Sequence, residues 1–225
     1  MQRHSIYLGR RVLQKWWWRV PSDAFENLDS RMKDIEQILD AHKALTQFQR
    51  ARNRLRRSGA KLADLSKVVE GLVERPGRGR PARVGALNRG AMVLLCAHLQ
   101  GYIEDVFSEA ARIMLAATVN DVDALIRHAT SGFSNPYANR INNLFSAIGF
   151  PEIVDSLSWQ RASNQAVKRR LAGYISIRNS IAHGRQVSVT KQKVDGFKKF
   201  VELFAQKLDG VVRDAVKVAT GSEPW

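Results

Sequence analysis

The run Ile177-Arg178-Asn179-Ser180-Ile181-Ala182-His183-Gly184 brings three side chains suited to phosphate chemistry into one short stretch. Histidine titrates near neutrality and can take or give a proton. Arginine offers two N–H donors to phosphoryl oxygens. Asparagine can hold a neighbouring imidazole in one orientation, or donate to a substrate. RNA carries the groups that such a set could act on. Its 2′-hydroxyl, once deprotonated, attacks the adjacent phosphorus, and negative charge builds on the phosphorane oxygens. Arg178 could steady that charge while His183 acts as base or acid; the run leaves both roles open. The other histidines, His4, His42, His98 and His128, show no ligand spacing with carboxylates or cysteine, so neither a metal nor a cofactor is expected.

These groups must be held by a helix. From about Asn164 the sequence follows a 3.6-residue period. Leu171, Tyr174, Ile175, Ile177, Ile181 and Ala182 fall on one apolar face. Arg178 falls inside it, at roughly 340° with Leu171 at zero. Asn179 and His183, an i,i+4 pair, line the polar flank. Gly184 suits a helix C-cap and places His183 in the last turn. An arginine on an apolar stripe needs a counter-charge, since desolvating it costs several kcal/mol, on the order of the penalty for one buried ion. Either a carboxylate from another helix supplies it or the arginine lines a cleft open to phosphate.

The remaining pattern is helical throughout, and the expected fold class is an all-α antiparallel bundle with an N-terminal helical extension. Pro21-Ser22-Asp23 opens a helix that runs to about Arg57. A shorter helix is expected over Ala60–Glu74. The stretch Arg75–Arg83 holds two prolines, two glycines and four arginines, a linker able to contact phosphate. The longest helix runs from Val84 or Leu87 to Ala117. Its apolar stripe of Met92, Cys96, Leu99, Ile103, Val106, Phe107, Ala110 and Met114 marks it as the central rod. His98, Tyr102, Asp105 and Glu109 leave the stripe on one flank, Gln100 and Glu104 on the other. Glu104 or Asp105 is the candidate acidic partner of Arg178. Short helices are expected over Asp121–Ala129 and Tyr137–Ile148, separated by a Ser131–Pro136 loop. A final helix runs from Ser188 or Thr190 to about Val218. The organisation expected is thus a basic Trp-containing extension (1–20), N-terminal helices with the linker (21–83), a helical core (84–218) and a tail (219–225).

Arg-Asn-x-x-x-His at a helix end resembles the Arg-x4–6-His motif of the HEPN superfamily, the nucleotide-binding domain of higher eukaryotes and prokaryotes. "RNSIAHG" is close to the form found in prokaryotic HEPN ribonucleases. "LLCAHLQGYIEDVF" resembles the opening core helix of those families. "NPYANRINNLFSAIGFP" resembles their short helix and Gly-hydrophobe-Pro turn. The resemblance spans about Leu87 to Leu208. It implies a small helical bundle, paired as a homodimer so that two motifs share one cleft. It further implies a metal-independent endoribonuclease of toxin or phage-defence type, with a neutralising antitoxin or a defence-system partner, and Arg178, His183 and Asn179 as its catalytic set. Alternatives are a non-catalytic RNA- or nucleotide-binding HEPN regulator, or a structural bundle that docks an acidic protein.

Charge narrows the partner. The chain of 225 residues carries a net charge of +15. Residues 1–90 hold 20 lysines and arginines against 9 acids; the rest hold 16 against 12. A polyanion such as RNA fits through counterion release. An acidic protein or a membrane surface fits the charge as well. Arg50, Arg52, Arg54, Arg56, Arg57, Arg78, Arg80 and Arg83 are the candidate RNA contacts. The apolar fraction of 44% supports a globular core. A single cysteine, Cys96, excludes an internal disulfide and fits a reducing cytoplasm, the expected location. No apolar run is long enough for a transmembrane segment. Met1–Val20, with Trp16-Trp17-Trp18, lacks the apolar core and cleavage site of a signal peptide.

Overall fold

The computed structural model describes residues 20–57, 82–159 and 162–225. The helix expected over 60–74, the arginines Arg78 and Arg80 and the Trp16–Trp18 cluster lie outside them. Among the described residues six α-helices follow one another: α1 (Asp23–Arg57), α2 (Ala82–Leu115), α3 (Val122–Ser131), α4 (Ala138–Ser146), α5 (Asn164–Ala182) and α6 (Lys191–Thr220). A 3₁₀ turn at Ile153–Ser156 joins the last two short pieces to α5. No strand occurs among the described residues; the one β-bridge pairs Trp159 with Ala162. The fold is all-α, and the helix boundaries expected within the described residues hold to within a few residues.

The central rod is α2, which touches each of the other five helices. Met92, Leu95, Leu99, Ile103, Val106 and Phe107 recur at the helical period and are fully buried. Truncating one of them, as in Ile103→Ala, would cost about 2–5 kcal/mol through lost burial and an unfilled cavity. Against one side lies α6, whose buried Val194, Phe197, Val201, Phe204, Leu208 and Val212 follow the same period. Phe107 meets Phe145 of α4 edge to face at 5.5 Å. Local chemistry sets the ends. Asp121 caps α3 by accepting from Ala124 N at 2.8 Å, and Thr190 caps α6 by accepting from Lys193 N at 3.2 Å.

The first half of α1 is part of this core rather than an appendage to it. Ala24, Leu28, Met32 and Ile35 are buried in the same apolar cluster as α2 and α6. Their spacing of four, four and three residues makes one helical stripe. Its seat is the flank of α2 that carries His98, Tyr102, Asp105 and Glu109. Arg31 of α1 reaches Asp105 at 2.8 Å, and Glu109 accepts from Ala24 N at 2.6 Å. Arg31 crosses α2 over Gly101, where a Cβ would stand 2.7 Å from its Nη1. The flank of α2 read as polar is therefore a helix–helix seam.

Candidate active site

The motif helix α5 is pinned at its start and stacked along its length. Ser163 Oγ caps it. Asn164 Nδ2 donates to Val154 O at 2.7 Å and to Leu157 O at 2.9 Å, which ties α5 to the 3₁₀ turn. Val167, Leu171 and Ile175 are buried against the bundle. Tyr174 stacks on Phe197 of α6 with ring centroids 4.2 Å apart. These contacts fix the direction in which the last turn of the helix projects.

That last turn ends in a Schellman motif. His183 is the C-cap, Gly184 follows at φ +72°, and two bonds close the end: Gly184 N to Ile181 O at 3.0 Å and Arg185 N to Ser180 O at 2.9 Å. The left-handed position favours glycine, which has no Cβ to clash. The chain turns sharply there, and His183 is left exposed at the helix end.

Arg178 lies one and a half turns before His183 and is half-buried rather than sealed in the apolar face. The reason lies in the helix outrunning the core. Ile175 is the last fully buried residue of α5; Ile177 and Ile181 are half-buried and Ala182 is exposed. The guanidinium Nη1 donates to Asn179 Oδ1 at 3.1 Å and to Asn135 Oδ1 at 3.3 Å. Asn179 Nδ2 in turn donates to Tyr137 Oη at 3.4 Å. Cys96 of α2, 3% exposed, lies within reach of the Arg178 charge; burial pushes its thiol up to about 12 while that charge pulls the other way. A thiol held that far up stays protonated and gives the arginine no counter-ion.

Two expectations change here. Neither Glu104 nor Asp105 pairs with Arg178 among the described residues. Asp105 is taken by Arg31, and Glu104 accepts from Gln100 Nε2 at 2.9 Å. The docking of α1 on α2 captured the first, and a one-turn contact along α2 the second. Among the described residues Asn179 also does not bond His183: its Oδ1 accepts from Arg178 and its Nδ2 donates to Tyr137, which leaves one N–H free to donate to a substrate.

Asn135 and Tyr137 are the residues that sequence reasoning missed. Both lie in the link from α3 to α4. Asn135 holds φ +50°, the one non-glycine left-handed residue among those described. Tyr137 N bonds Asn135 O at 2.7 Å across this tight turn. An Asn-Pro pair signals a turn, but nothing in the chain order says that the turn reaches Arg178, 43 residues later.

The remaining expected site residues divide. Arg50, Arg52, Arg54, Arg56 and Arg57 belong to the final turns of α1, and Arg83 to the first turn of α2, but their side chains lie outside the described residues, as do Arg78 and Arg80. No three His, Cys, Asp or Glu side chains cluster as a metal site, and no helix is long and apolar enough to cross a membrane, both among the described residues.

Residues 26–214, from inside α1 to inside α6, match the model of the RiboL-PSP-HEPN family. No curated protein and no solved structure matches the chain.

Proposed function

The chain belongs to the RiboL-PSP-HEPN family, and from that premise we propose that it is a metal-independent endoribonuclease working at Arg178 and His183. The observation that carries this reading is the company Arg178 keeps. Its partners are the neutral amide oxygens of Asn135 and Asn179. A neutral acceptor orients a guanidinium without cancelling its charge, so the charge remains available to a phosphate. An exposed imidazole stands beyond it at the helix end.

In the proposed reaction the 2′-oxygen of RNA bonds to the adjacent phosphorus and the bond to the 5′-oxygen breaks. One proton leaves the 2′-hydroxyl and one reaches the departing 5′-oxygen. His183 carries one of these transfers. Arg178 donates to the phosphoryl oxygens as charge accumulates on them. Asn179 and Asn135 hold the guanidinium, and Tyr137 holds Asn179. One arginine and one histidine form a sparse site, and a second copy of the chain would bring another pair to the same phosphate. The wider proposal is a homodimer acting on RNA in a toxin–antitoxin or phage-defence setting, restrained by a neutralising partner, with the arginines between residues 50 and 83 gripping the RNA backbone.

The test is incubation of labelled RNA with the protein in EDTA, beside Arg178→Ala and His183→Ala. Cleavage to 2′,3′-cyclic phosphate ends, lost in both variants while the helical signal persists, is the expected result. Cleavage that survives both substitutions removes the site. Binding without cleavage by the unaltered protein would make it a non-catalytic RNA- or nucleotide-binding regulator.

A further inference from the structure

Beside the motif, walled in part by the loop that follows His183, lies an open cleft. It measures ≈ 790 Å³, within the roughly 300–1,000 Å³ range of small-ligand sites. Four elements wall it: α1 with His42, the first turns of α2 with Asn88 and Arg89, the last turn of α5 with Ile181, and the stretch Gly184–Lys191. Gly184, directly after His183 in the chain, is part of that wall.

Two independent features point to a ligand. The first is charge. Arg89 and Arg185 both line the cleft, and neither has a carboxylate partner among the described residues, whereas Lys191 is paired with Asp195 at 2.9 Å. The second is His42, which is 9% exposed and lines the same cleft. Its Nδ1 is buried with no hydrogen-bond partner. A buried polar atom without a partner costs stability, which a small shift of the His42 ring toward a group in the cleft would return. Burial, and then the nearby Lys191 charge, push the His42 imidazole toward its neutral form despite Asp195. A neutral imidazole has one donor and one acceptor, which matches the edge of a base better than it matches an anion. Asn88 is held by its bond to Val189 O at 2.9 Å, which braces the loop wall against α2.

We infer that this cleft seats one nucleotide of the RNA chain flanking the cleaved phosphate, with Arg89 and Arg185 on the backbone phosphate and His42 against the base. The inference rests on RNA being the substrate, and it adds a place on the enzyme where base preference can arise. The ligand chemistry is a nucleoside phosphate, which reaches the cleft as a link of a chain or as a free mononucleotide.

A 2′-O-methyl oligonucleotide, which has no 2′-hydroxyl to attack with, separates binding from cutting. Its affinity for the 225-residue chain should fall about tenfold in Arg89→Gln and in Arg185→Gln, in line with losing one charge-assisted bond. The slope of log K against log salt should shrink by about 0.7 for each arginine removed. His42→Ala should narrow the differences among the four homopolymers; if that variant does not fold, the exposed Arg185 position still decides the matter. Adenosine, guanosine, cytidine and uridine 5′-monophosphates should compete with the oligonucleotide. Unchanged affinity and slope in both arginine variants would overturn the inference. So would mononucleotides that bind without displacing the oligonucleotide, since the cleft would then serve a free nucleotide. The arginine result stands apart from cleavage: loss of cutting in His183→Ala with an unchanged slope in the arginine variants sinks the cleft and spares the catalytic site.

Discussion

The first turn of α1 and the last turn of α5 are both helix ends that meet charged side chains, and they are built in opposite ways. At the start of α1, Ser22 is fully buried and donates its hydroxyl to Asp209 of α6, itself 6% exposed. Ser22 Oγ also accepts from Phe25 N at 3.1 Å, and Glu109 accepts from Ala24 N. Burial holds both the Asp209 and the Glu109 carboxyls above their ordinary range, against the pull of Ser22 and Arg213 on the first and of the α1 backbone on the second. The buried hydroxyl of Ser22 and the two carboxyls, Asp209 and Glu109, all find partners within the protein, and the result fastens α1 to the core. At the end of α5 the charge is positive, the arginine is half-buried, and its partners are neutral. A helix end that is sealed and fully paired holds the fold. One that is open and carries uncancelled charge is free to meet a substrate.

Substitutions at the two ends should therefore separate activity from stability. His183→Ala should lower RNA cleavage about 10²–10⁴-fold, the usual contribution of a general acid or base, with an unaltered melting temperature because the side chain is exposed. A large fall in melting temperature would make His183 a structural residue. At the other end, Asp209→Ala strands the Ser22 hydroxyl and leaves Arg213 with less counter-charge. It should cost about 1–3 kcal/mol in denaturant titration, with cleavage per folded molecule unchanged.

Asn135 links the two kinds of behaviour and gives a finer test. Asn135→Gly and Asn135→Ala both remove the amide that orients Arg178, and each should slow cleavage about fivefold, near the value of one hydrogen bond. Only the alanine variant should also lose stability, by about 1–2 kcal/mol, since the φ of +50° penalises a Cβ without the asparagine's compensating polar group. Equal stabilities would show that the turn relaxes.

The smallest effect is a pH signature. Because Asp209 and Glu109 are held above their ordinary range, the folded chain keeps protons that the unfolded chain releases as pH rises above about 4. Their contribution to stability is thus greatest in acid and is lost as pH climbs through that window. Asp209→Asn removes its share, so melting temperature against pH should be flatter in the variant as pH rises above about 4. Superimposable curves would mean that Asp209 is solvated.

Much of the architecture was legible in the chain before any coordinates. The long apolar stripe of α2, the stripe of α6 and the Gly184 stop are properties of single helices, and a 3.6-residue period reads them directly. The Arg178–His183 spacing on one helix end was equally local. The seat of α1 was not legible, because Asp105 and Glu109 carry the same polar signature whether they face water or another helix.

What the order of residues determined alone was therefore everything confined to one helix: the elements, the faces they bury, and the run that puts an arginine one and a half turns before a histidine. Tertiary structure decided which groups meet across the bundle. It gave Asp105 to Arg31, drew Asn135 and Tyr137 out of a loop to hold Arg178 and Asn179, and opened a cleft between α1, α2 and the loop after His183. The physical reason is range. Helical hydrogen bonding and apolar periodicity act over three or four residues and leave a trace in the order of residues. The choice of a polar partner 43 or 74 residues away is settled only when the helices pack.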